Sequence, residues 1–294
     1  MQRKILVFGA KGQMGRAIIS RAPGLALGFD RSAVDICAED AVRQTVHDHP
    51  PAAIVNAAAY TAVDKAELEP DAALRVNRDG ATILAEAAAS AGVPFIHLST
   101  DYVFDGTKRT PYREDDPIAP LGAYGISKAE GEHAVRTTSA RHVILRTAWV
   151  YSPYGTNFVR TMLRLASERA ELRVVDDQAG CPTAAADIAS TIIAILERAK
   201  LPGFTGWGTY HFCGGDVVTW YSFATLIFEA AEMYGQKAPR LIPISTADYP
   251  TAASRPAYSV LAMDKLETTF DLKPRLLRQS LAECLDVLFK DQPA

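Results

Sequence analysis

The chain has 294 residues, of which 48% are hydrophobic and 22% charged, so it can bury a large core in one large domain or two smaller ones. Its formal net charge of −3 gives no electrostatic reason to expect a nucleic acid or an anionic membrane as partner. Because no apolar run approaches the roughly 18 residues of a membrane span and the N-terminus lacks the features of a signal peptide, we expect a cytoplasmic protein.

The first predicted strand, residues 5–8, leads into a glycine-rich turn that opens a helix. Its glycines, Gly9, Gly12 and Gly15, follow the spacing G-x-x-G-x-x-G. Glycines in this context let the backbone approach a pyrophosphate closely, and the helix N-terminus supplies amide donors. The turn therefore indicates a dinucleotide cofactor, although a tight turn without a ligand is the simpler alternative.

Asp30 closes the second apolar run and Arg31 follows it directly. An acidic residue at this position would accept hydrogen bonds from the ribose hydroxyls of the adenosine, whereas an arginine would bind a 2′-phosphate. The pair leaves the choice of coenzyme open, and a solvated turn would explain both residues equally well. We expect NADPH, with NADH as the alternative.

Further short apolar runs at residues 53–56, 95–99 and 143–146 alternate with helix-forming stretches, including 41–47 and 79–91. Continuous apolar strands with helical crossovers between them are typical of a parallel sheet that is covered on both faces. The sequence therefore predicts a doubly wound α/β fold of the Rossmann type. The order of the strands does not follow from this pattern.

A serine–threonine pair ends the strand at 95–99, and a tyrosine and a lysine follow further along the chain. Thr100 should project at the carboxyl edge of the sheet, where open α/β sheets bind ligands. Tyr124 and Lys128 are four residues apart and so share one helical face. An ammonium beside a phenol makes it a usable proton donor, which predicts a nicotinamide-dependent reductase in which Thr100 orients the carbonyl oxygen.

The regular alternation weakens after about residue 151, where we place a second, smaller α/β unit. Residues 184–200 have apolar side chains at helical spacing and should pack back on the first unit. The prediction is one domain of residues 1–151 plus about 184–200, and a second of about 152–183 and 201–294. The proline-rich stretch at 239–256 is expected to be an ordered surface loop.

The four cysteines are widely spaced, form no C-x-x-C pair and do not group with the histidines. We therefore expect reduced, packing thiols and no metal site. The cysteines are Cys37, Cys181, Cys213 and Cys284.

Several longer motifs add to this interpretation. They are the glycine turn at 9–15 and the segments VNAAAYTAVD (55–64), STDYVFDG (99–106), YGISK (124–128), RTAWVY (146–151) and DQAGCPT (177–183). With them the chain resembles the extended short-chain dehydrogenase/reductases nearly from end to end. The resemblance is closest to members that reduce the C4 ketone of dTDP-4-dehydro-β-L-rhamnose, a nucleotide sugar.

The resemblance implies a role for each matching residue. Catalysis falls to Thr100, Tyr124 and Lys128. The cofactor site would comprise Gly9, Gly12, Gln13, Met14, Gly15, Asp30, Arg31, Asp35, Ile36, Ala57, Ala58, Ala59, Tyr124 and Lys128. The sugar-nucleotide site, in the smaller domain and at the sheet edge, would comprise Thr100, Asp101, Trp149, Asn157 and Arg255. Trp149 offers a flat face to a ring, although a core aromatic is the alternative interpretation.

One departure from the family concerns assembly. Some members carry a glutamate two residues after the last motif glycine and use it in a metal-bridged dimer, whereas this chain has Ala17. A methyl group cannot ligate Mg²⁺. We therefore expect no metal, and a monomer or a dimer without that bridge.

Two other functions fit parts of the pattern. A sugar-nucleotide dehydratase or epimerase shares the fold and the Tyr/Lys pair, but dehydratases typically carry Thr-Asp-Glu where this chain has Thr100-Asp101-Tyr102. A non-catalytic regulatory subunit, such as the reductase-like partner of methionine adenosyltransferase, would bind cofactor without turnover. The intact catalytic residues favour the reductase.

Overall fold

The computed structural model describes residues 3–290. Its strands are β1 (Lys4–Phe8), β2 (Ala26–Phe29), β3 (Pro51–Asn56), β4 (Phe95–Thr100), β5 (His142–Thr147), β6 (Val150–Tyr151), β7 (Glu171–Val175), β8 (Ala179–Gly180), β9 (Thr183–Ala184), β10 (Gly208–His211), β11 (Val218–Thr219) and β12 (Arg240–Ile244). Its helices are α1 (Gln13–Arg21), α2 (Glu39–Asp48), α3 (Val63–Ala66), α4 (Pro70–Leu74), α5 (Gly80–Ser90), α6 (Ala123–Thr138), α7 (Phe158–Glu168), α8 (Ala185–Ala199), α9 (Trp220–Ala231), α10 (Asp264–Phe270) and α11 (Leu277–Lys290). A π-helical turn at Arg75–Asp79 joins α4 to α5.

Six strands form one parallel sheet in the order β2-β1-β3-β4-β5-β10. The predicted doubly wound parallel fold is therefore confirmed. The strand order reverses at β1, which has β2 on one side and β3 on the other. A ligand crevice is expected outside the carboxyl ends of strands at such a switch point.

Alternate side chains of each strand enter different cores on the two faces of the sheet. On one face, Val7 packs with Ile18 of α1 and Ile188 of α8. On the other, Leu6 packs with Leu84 of α5 in a core that also receives side chains of α2 and α6. Burial on both faces explains why these strands are continuous apolar runs in the sequence.

A separate core lies among α7, α9, α11, β7 and β12. It contains Val159, Leu172, Phe223 and Leu281. The prediction that residues 239–256 form only a loop is wrong, because β12 lies within them and pairs in parallel with β7. Proline is tolerated there because the two strands form a two-stranded sheet, whose outer edges require no donor.

The structure differs from the predicted domain boundary in two segments. β10 pairs with β5 in the main sheet, and α10 packs beside it, so both lie with the first core and not with the rest of 201–294. The Tyr210 and Phe270 rings meet edge to face at 5.0 Å between centroids. Strand pairing between residues far apart in sequence decides this boundary, and local pattern carries no information about it. The remaining division into two domains stays a prediction.

Two smaller observations bear on the bulk expectations. All four cysteines are free thiols, and three of them are buried. Among residues 3–290, no helix has the length and apolar character that crossing a membrane requires.

Candidate active site

The glycine turn after β1 is closely packed against the loop that follows β3. Gly9 has a φ of 89°, and a Cβ there would lie 2.5 Å from the Ala58 nitrogen. A Cβ on Gly15 would lie 2.2 Å from the Gly9 oxygen. Both positions therefore require glycine. Within the described chain no side chain caps α1 at Gly12, so its first amides are free to bind an anion.

A cavity of about 300 Å³ opens at this switch point. Its lining includes these predicted cofactor residues: Gly9, Gly12, Asp30, Arg31, Asp35, Ile36, Ala57, Ala58 and Ala59. It also includes four residues that the sequence interpretation missed: Lys11, Val34, Tyr60 and Val76. Lys11 lies inside the glycine motif and could have been noticed, whereas Val76 belongs to the distant π-helical turn and gave no sign in the sequence.

The rim of this cavity is charged and exposed. Lys11 Nζ lies 2.6 Å from Asp30 Oδ2, and its side chain is 72% exposed. The ammonium of Lys11 holds the pKa of Asp30 below its ordinary value, with help from hydrogen bonds donated by Ser32. The Arg31 side chain is 86% exposed, and its nearest acid is Asp35 at 3.9 Å. A carboxylate and two accessible cations thus meet where an adenosine ribose is expected.

Gln13, Met14 and Gly15 do not line the cavity. Met14 packs against the core between the sheet and α8. The Gln13 side chain instead accepts hydrogen bonds from Ser152 Oγ at 2.9 Å and from Asn157 Nδ2 at 3.0 Å. Gln13 therefore ties the glycine turn to the segment that follows β6.

Asn157 is buried and fully engaged in this arrangement. Its Oδ1 accepts from the Arg160 amide and caps α7, while its Nδ2 also donates to the Ser152 and Tyr154 carbonyls. The side chain thus has a local structural role. Its predicted contact with substrate stays a prediction.

Helix α6 carries Tyr124 and Lys128 at its N-terminal end. The helix starts at Ala123, whose N–H donates to Glu67 Oε1 at 2.8 Å. Gly122, the N-cap residue, has no side chain to cap the helix, and the Glu67 carboxylate accepts the hydrogen bond from the first helical amide instead. Tyr124 occupies the first turn, and Lys128 lies one turn further on, where it is almost fully buried.

The π-helical turn before α5 helps to hold α6 in place. Asn77 lies in this turn, and its Nδ2 donates to Ser127 Oγ at 2.9 Å and to the Tyr60 carbonyl. Ser127 Oγ in turn donates to the Tyr124 carbonyl. The loop after β3, the π-helical turn and α6 are therefore joined around one buried amide.

Tyr124 keeps its proton in this structure. Burial raises the pKa of Tyr124 above its ordinary value, and an interaction with the Thr100 hydroxyl opposes this shift. Its ring meets that of Tyr102 edge to face, with 5.5 Å between centroids. The sequence-based expectation was an ammonium that lowers the phenol's pKa, but here Lys128 Nζ donates to the Leu98 carbonyl at 2.7 Å and burial dominates.

Thr100 and Asp101 end β4 beside this phenol. Thr100 Oγ1 donates to Asp101 Oδ1 at 3.0 Å and accepts from the Tyr102 amide. Asp101 is buried, and its Oδ2 has no hydrogen-bond partner among the described residues. Burial raises the pKa of Asp101 to about 6. The Ser259 hydroxyl, which also has no hydrogen-bond partner among the described residues, lies near this carboxylate and acts to lower its pKa. Two buried polar atoms with no well-formed hydrogen bond at the carboxyl edge of a sheet indicate a place for a ligand hydroxyl.

A row of buried polar side chains runs across the sheet beneath α6, which we call the buried polar row. It comprises Asn56, His97, Ser99, Arg146 and His211 of the sheet, with Lys128 and Glu132 of α6 above them. Arg146 donates to both oxygens of Glu132, at 2.8 and 2.7 Å. Burial acts to raise the pKa of Glu132, but Arg146, Ser99 and Arg136 together outweigh it and hold that pKa below its ordinary value.

Trp149 lies two residues after the end of β5, directly before β6, and adopts a positive φ of 47°. One face of its ring is already covered, because it stacks on Trp220 with 3.4 Å between centroids. Trp220 was missed from the sequence, where it is only one of several aromatics on α9. Backbone strain at a non-glycine residue is often found at functional sites.

Arg255 reaches across to α3 and pairs with Asp64 in a two-pronged contact, at 3.1 and 2.7 Å. This pairing lowers the pKa of Asp64. It holds the loop around Arg255 near Tyr102, whose pKa Arg255 acts to lower. The predicted substrate contact of Arg255 stays a prediction.

Ala17 stands where some relatives carry the glutamate that binds a metal. Ala17 is a buried residue of α1. Residues 3–290 contain no group of three or more histidine, cysteine or acidic side chains that could hold a metal ion.

Comparison with known proteins shows similarity over nearly the whole chain. The family model described as RmlD substrate binding domain matches residues 3–289. A dTDP-4-dehydrorhamnose reductase of Sinorhizobium fredii is 46% identical, with 92% of each chain covered, and one of Escherichia coli is 43% identical, with 91% of this chain and 92% of the relative covered. The crystal structure of a dTDP-4-dehydrorhamnose reductase of Bacillus anthracis in complex with NADP is 35% identical, with a TM-score of 0.91, and 97% of this chain and 99% of that chain are covered.

Proposed function

This chain belongs to the dTDP-4-dehydrorhamnose reductase family, and from that premise we propose that it reduces the C4 ketone of dTDP-4-dehydro-β-L-rhamnose to the alcohol, with NADPH as reductant. The observation that carries the proposal is the meeting of Thr100, Asp101 and Tyr124 at the carboxyl edge of a switch-point sheet, with Lys128 on the same helix.

The cavity at the switch point suits the adenosine and pyrophosphate part of a dinucleotide, since its lining does not extend to Tyr124 or Lys128. Glycines at 9 and 15 leave no room for a side chain where the turn meets its neighbours, and the free amides of α1 suit a pyrophosphate. Lys11 and Arg31 would bind a 2′-phosphate, which favours NADPH. Asp30 can instead accept from a ribose diol, which supports some use of NADH. When bound, the reduced nicotinamide supplies the hydride.

Tyr124 would supply the proton of the reaction. Its O–H bond breaks as a new O–H bond forms on the C4 oxygen, which leaves a phenolate. The Lys128 ammonium would stabilise that phenolate. Burial of Tyr124 keeps the proton in place until a substrate arrives, because it disfavours the anion.

Thr100 and Asp101 would hold the sugar. The Thr100 hydroxyl would orient the ketone oxygen, and the unpaired Oδ2 of Asp101 would accept a hydrogen bond from a sugar hydroxyl. Trp149, Asn157 and Arg255 are the further substrate residues that the family pattern supports. The Trp149 ring is half-buried, stacked on Trp220 and packed against Gly180, so a substrate ring would meet only the part of it that stays exposed.

The residue after Asp101 favours a reductase over a dehydratase. Dehydratases typically carry a carboxylic acid there to drive water elimination, whereas Tyr102 supplies only a phenol, whose pKa burial raises to about 12. A chain that only reduces a ketone needs no such acid. The expected cytoplasmic location and the monomer or non-metal dimer stay predictions.

The direct test is an absorbance assay with dTDP-4-dehydro-β-L-rhamnose, supplied by the preceding epimerase, and with NADPH and NADH compared. We expect stoichiometric oxidation of NADPH. Turnover on tightly bound NAD without added coenzyme would instead indicate a dehydratase or epimerase. Binding of NADPH without turnover would indicate a regulatory subunit.

Tyr124→Phe tests the proton donor. We expect NADPH affinity to be kept and turnover to fall by about 10²–10⁴-fold, because one donor is removed and little else changes. Tyr221→Phe removes a phenol oxygen from α9 and is the matched control. Full activity of Tyr124→Phe would refute the assignment.

A further inference from the structure

The side chains around Lys128 influence whether its amine is protonated. The inference drawn from them rests on the proposed reductase function. Lys128 Nζ has two polar neighbours in the buried polar row. One is the Leu98 carbonyl at 2.7 Å, and the other is His97 Nε2 at 3.4 Å. The carbonyl is an acceptor, so the protonation of His97 decides whether the amine has a second acceptor.

Asn56 fixes the protonation of His97. Asn56 Oδ1 accepts from the Ala58 amide at 3.1 Å, so its other terminal atom, Nδ2, faces His97 Nδ1 at 3.2 Å. Exchanging the two atoms would set Nδ2 against the Ala58 N–H, donor against donor. The amide orientation is therefore determined, and Nδ2 can only donate.

His97 must accept that hydrogen bond at Nδ1. A neutral imidazole that accepts at Nδ1 carries its proton at Nε2. The fully buried position excludes the imidazolium, since burial and the neighbouring Lys128 hold the pKa of His97 well below its ordinary value. The N–H of His97 thus points at Lys128.

An ammonium has three donors and no lone pair, whereas a neutral amine can accept the His97 N–H. We propose that His97, locked by Asn56 as the Nε2–H tautomer, is a positioning residue that favours the neutral form of Lys128 and so limits ketone reduction at high pH. Reduction needs the ammonium to stabilise the phenolate of Tyr124. The reaction therefore fails once Lys128 loses its proton.

Among the described residues, none of the charged groups around Lys128 directs an N–H at its amine as His97 does. Burial lowers the pKa of Lys128 to about 8, and Glu132, one turn along α6, opposes that shift. Glu132 is itself engaged by Arg146, Arg136 and Ser99. Tyr124 lies one turn earlier on the helix and is neutral. From the sheet, His97 is the titratable group that contacts the amine, and its own surroundings include His142 and Arg136.

The chain of contacts begins at the cofactor cavity. Ala58, whose amide orients Asn56, is one of the residues that line it. The same hydrogen bonds thus connect the cofactor loop, through Asn56 and His97, to the amine that the reaction uses.

The test is the pH profile of kcat/KM with NADPH and the keto sugar nucleotide. Glutamine in His97→Gln can turn its oxygen toward the ammonium, so the basic midpoint should rise by about one pH unit. His211→Gln makes the same exchange at a buried histidine of β10 that contacts Arg146 and the Tyr112 carbonyl, and it should leave that midpoint unmoved. A merely structural role of His97 would lower activity without moving the midpoint, and that result would overturn the proposal.

A second variant and one measurement on the wild-type protein keep the proposal testable if His97→Gln does not fold. His97→Asn keeps a group opposite Asn56 but leaves none facing Lys128, so a smaller rise is expected. In ¹⁵N-labelled wild type, NMR should find His97 neutral with its proton on Nε2 from pH 6 to 9, assigned with His142→Gln and His211→Gln. A proton on Nδ1 would refute the mechanism. If wild type itself does not reduce the keto sugar, the proposed function fails, but the tautomer result still stands.

Discussion

The rim of the cofactor cavity carries its charges in water, whereas the buried polar row under α6 carries the same kinds of charge in the interior. Lys11 and Asp30 pair at 2.6 Å with side chains 72% and 18% exposed. Glu132 and Arg146 pair at a similar 2.7 Å with side chains 0% and 2% exposed. Nearly equal distances therefore occur in one pair whose cation is in water and in another whose two ions are both buried.

The distance between two ions therefore does not by itself determine how much an ion pair contributes to stability or to ligand binding. At the rim, water screens each charge, so the pair adds little stability and its ions stay available for a ligand. In the row, each ion has lost its hydration and depends on its partner. We expect the rim to determine coenzyme binding and the row to determine folding and proton affinity.

Breaking the buried pair should have the largest effect. Glu132→Leu leaves the Arg146 guanidinium without its partner in the interior, and we expect the free energy of unfolding to fall by about 3–5 kcal/mol. Urea unfolding measures this. Glu168→Leu breaks the exposed Arg164–Glu168 pair of α7 at 2.8 Å and should cost less than about 0.5 kcal/mol. Equal losses in the two variants would break the comparison.

Removing the buried lysine should stabilise the protein. The pKa of Lys128 is lowered from 10.5 to about 8, so between these values the unfolded chain binds a proton that the folded chain lacks, and wild-type stability rises with pH. At pH 7 the folded chain must bury the Lys128 ammonium, which costs free energy. Lys128→Met removes this cost, so it should raise the free energy of unfolding by about 1–3 kcal/mol at pH 7.

The gain in the free energy of unfolding should shrink as the pH rises through 8 and vanish above about 10.5, because Lys128 is then neutral in both the folded and the unfolded wild-type chain. Urea unfolding at pH 7 and pH 10 checks the sign. A gain that is the same at both pH values would show that packing and not charge explains it. Activity should be lost in this variant at either pH.

Removing the rim cations should alter binding but not stability. We expect Lys11→Ala combined with Arg31→Ala to raise the KM for NADPH roughly tenfold, equivalent to about 1.4 kcal/mol, and to leave the KM for NADH little changed. Arg43→Ala, which removes an exposed cation of α2 paired with Glu39, is the control. Equal effects on both coenzymes would mean that the cations do not bind a 2′-phosphate.

The smallest expected effect is that of a chelator. Ala17 supplies no metal ligand, so we expect EDTA to leave the sedimentation coefficient unchanged. A magnesium-dependent dimer that the chelator dissociates would contradict this expectation and would require ligands other than residue 17.

Local patterns predicted the parts of the fold that depend on neighbours in sequence. The apolar run at 5–8 and the glycines after it predicted β1 and the turn before α1, because strand burial and backbone freedom are local properties. Tyr124 and Lys128 were placed on one helix by their spacing, and they lie on α6. The opposite pKa directions of the two groups were not predicted, since burial depends on the packed interior.

Periodicity and side-chain chemistry predicted the parallel strands of the first half, the glycine turn and the Tyr124/Lys128 pair, because these depend on neighbours in sequence, and the family resemblance added the other candidate site residues. The folded chain was needed to show that β10 joins the main sheet, that Trp220 covers one face of Trp149, and that Asn56 contacts His97, which in turn contacts Lys128. These contacts join residues far apart in sequence, and their energies depend on how much water the folded chain removes from them.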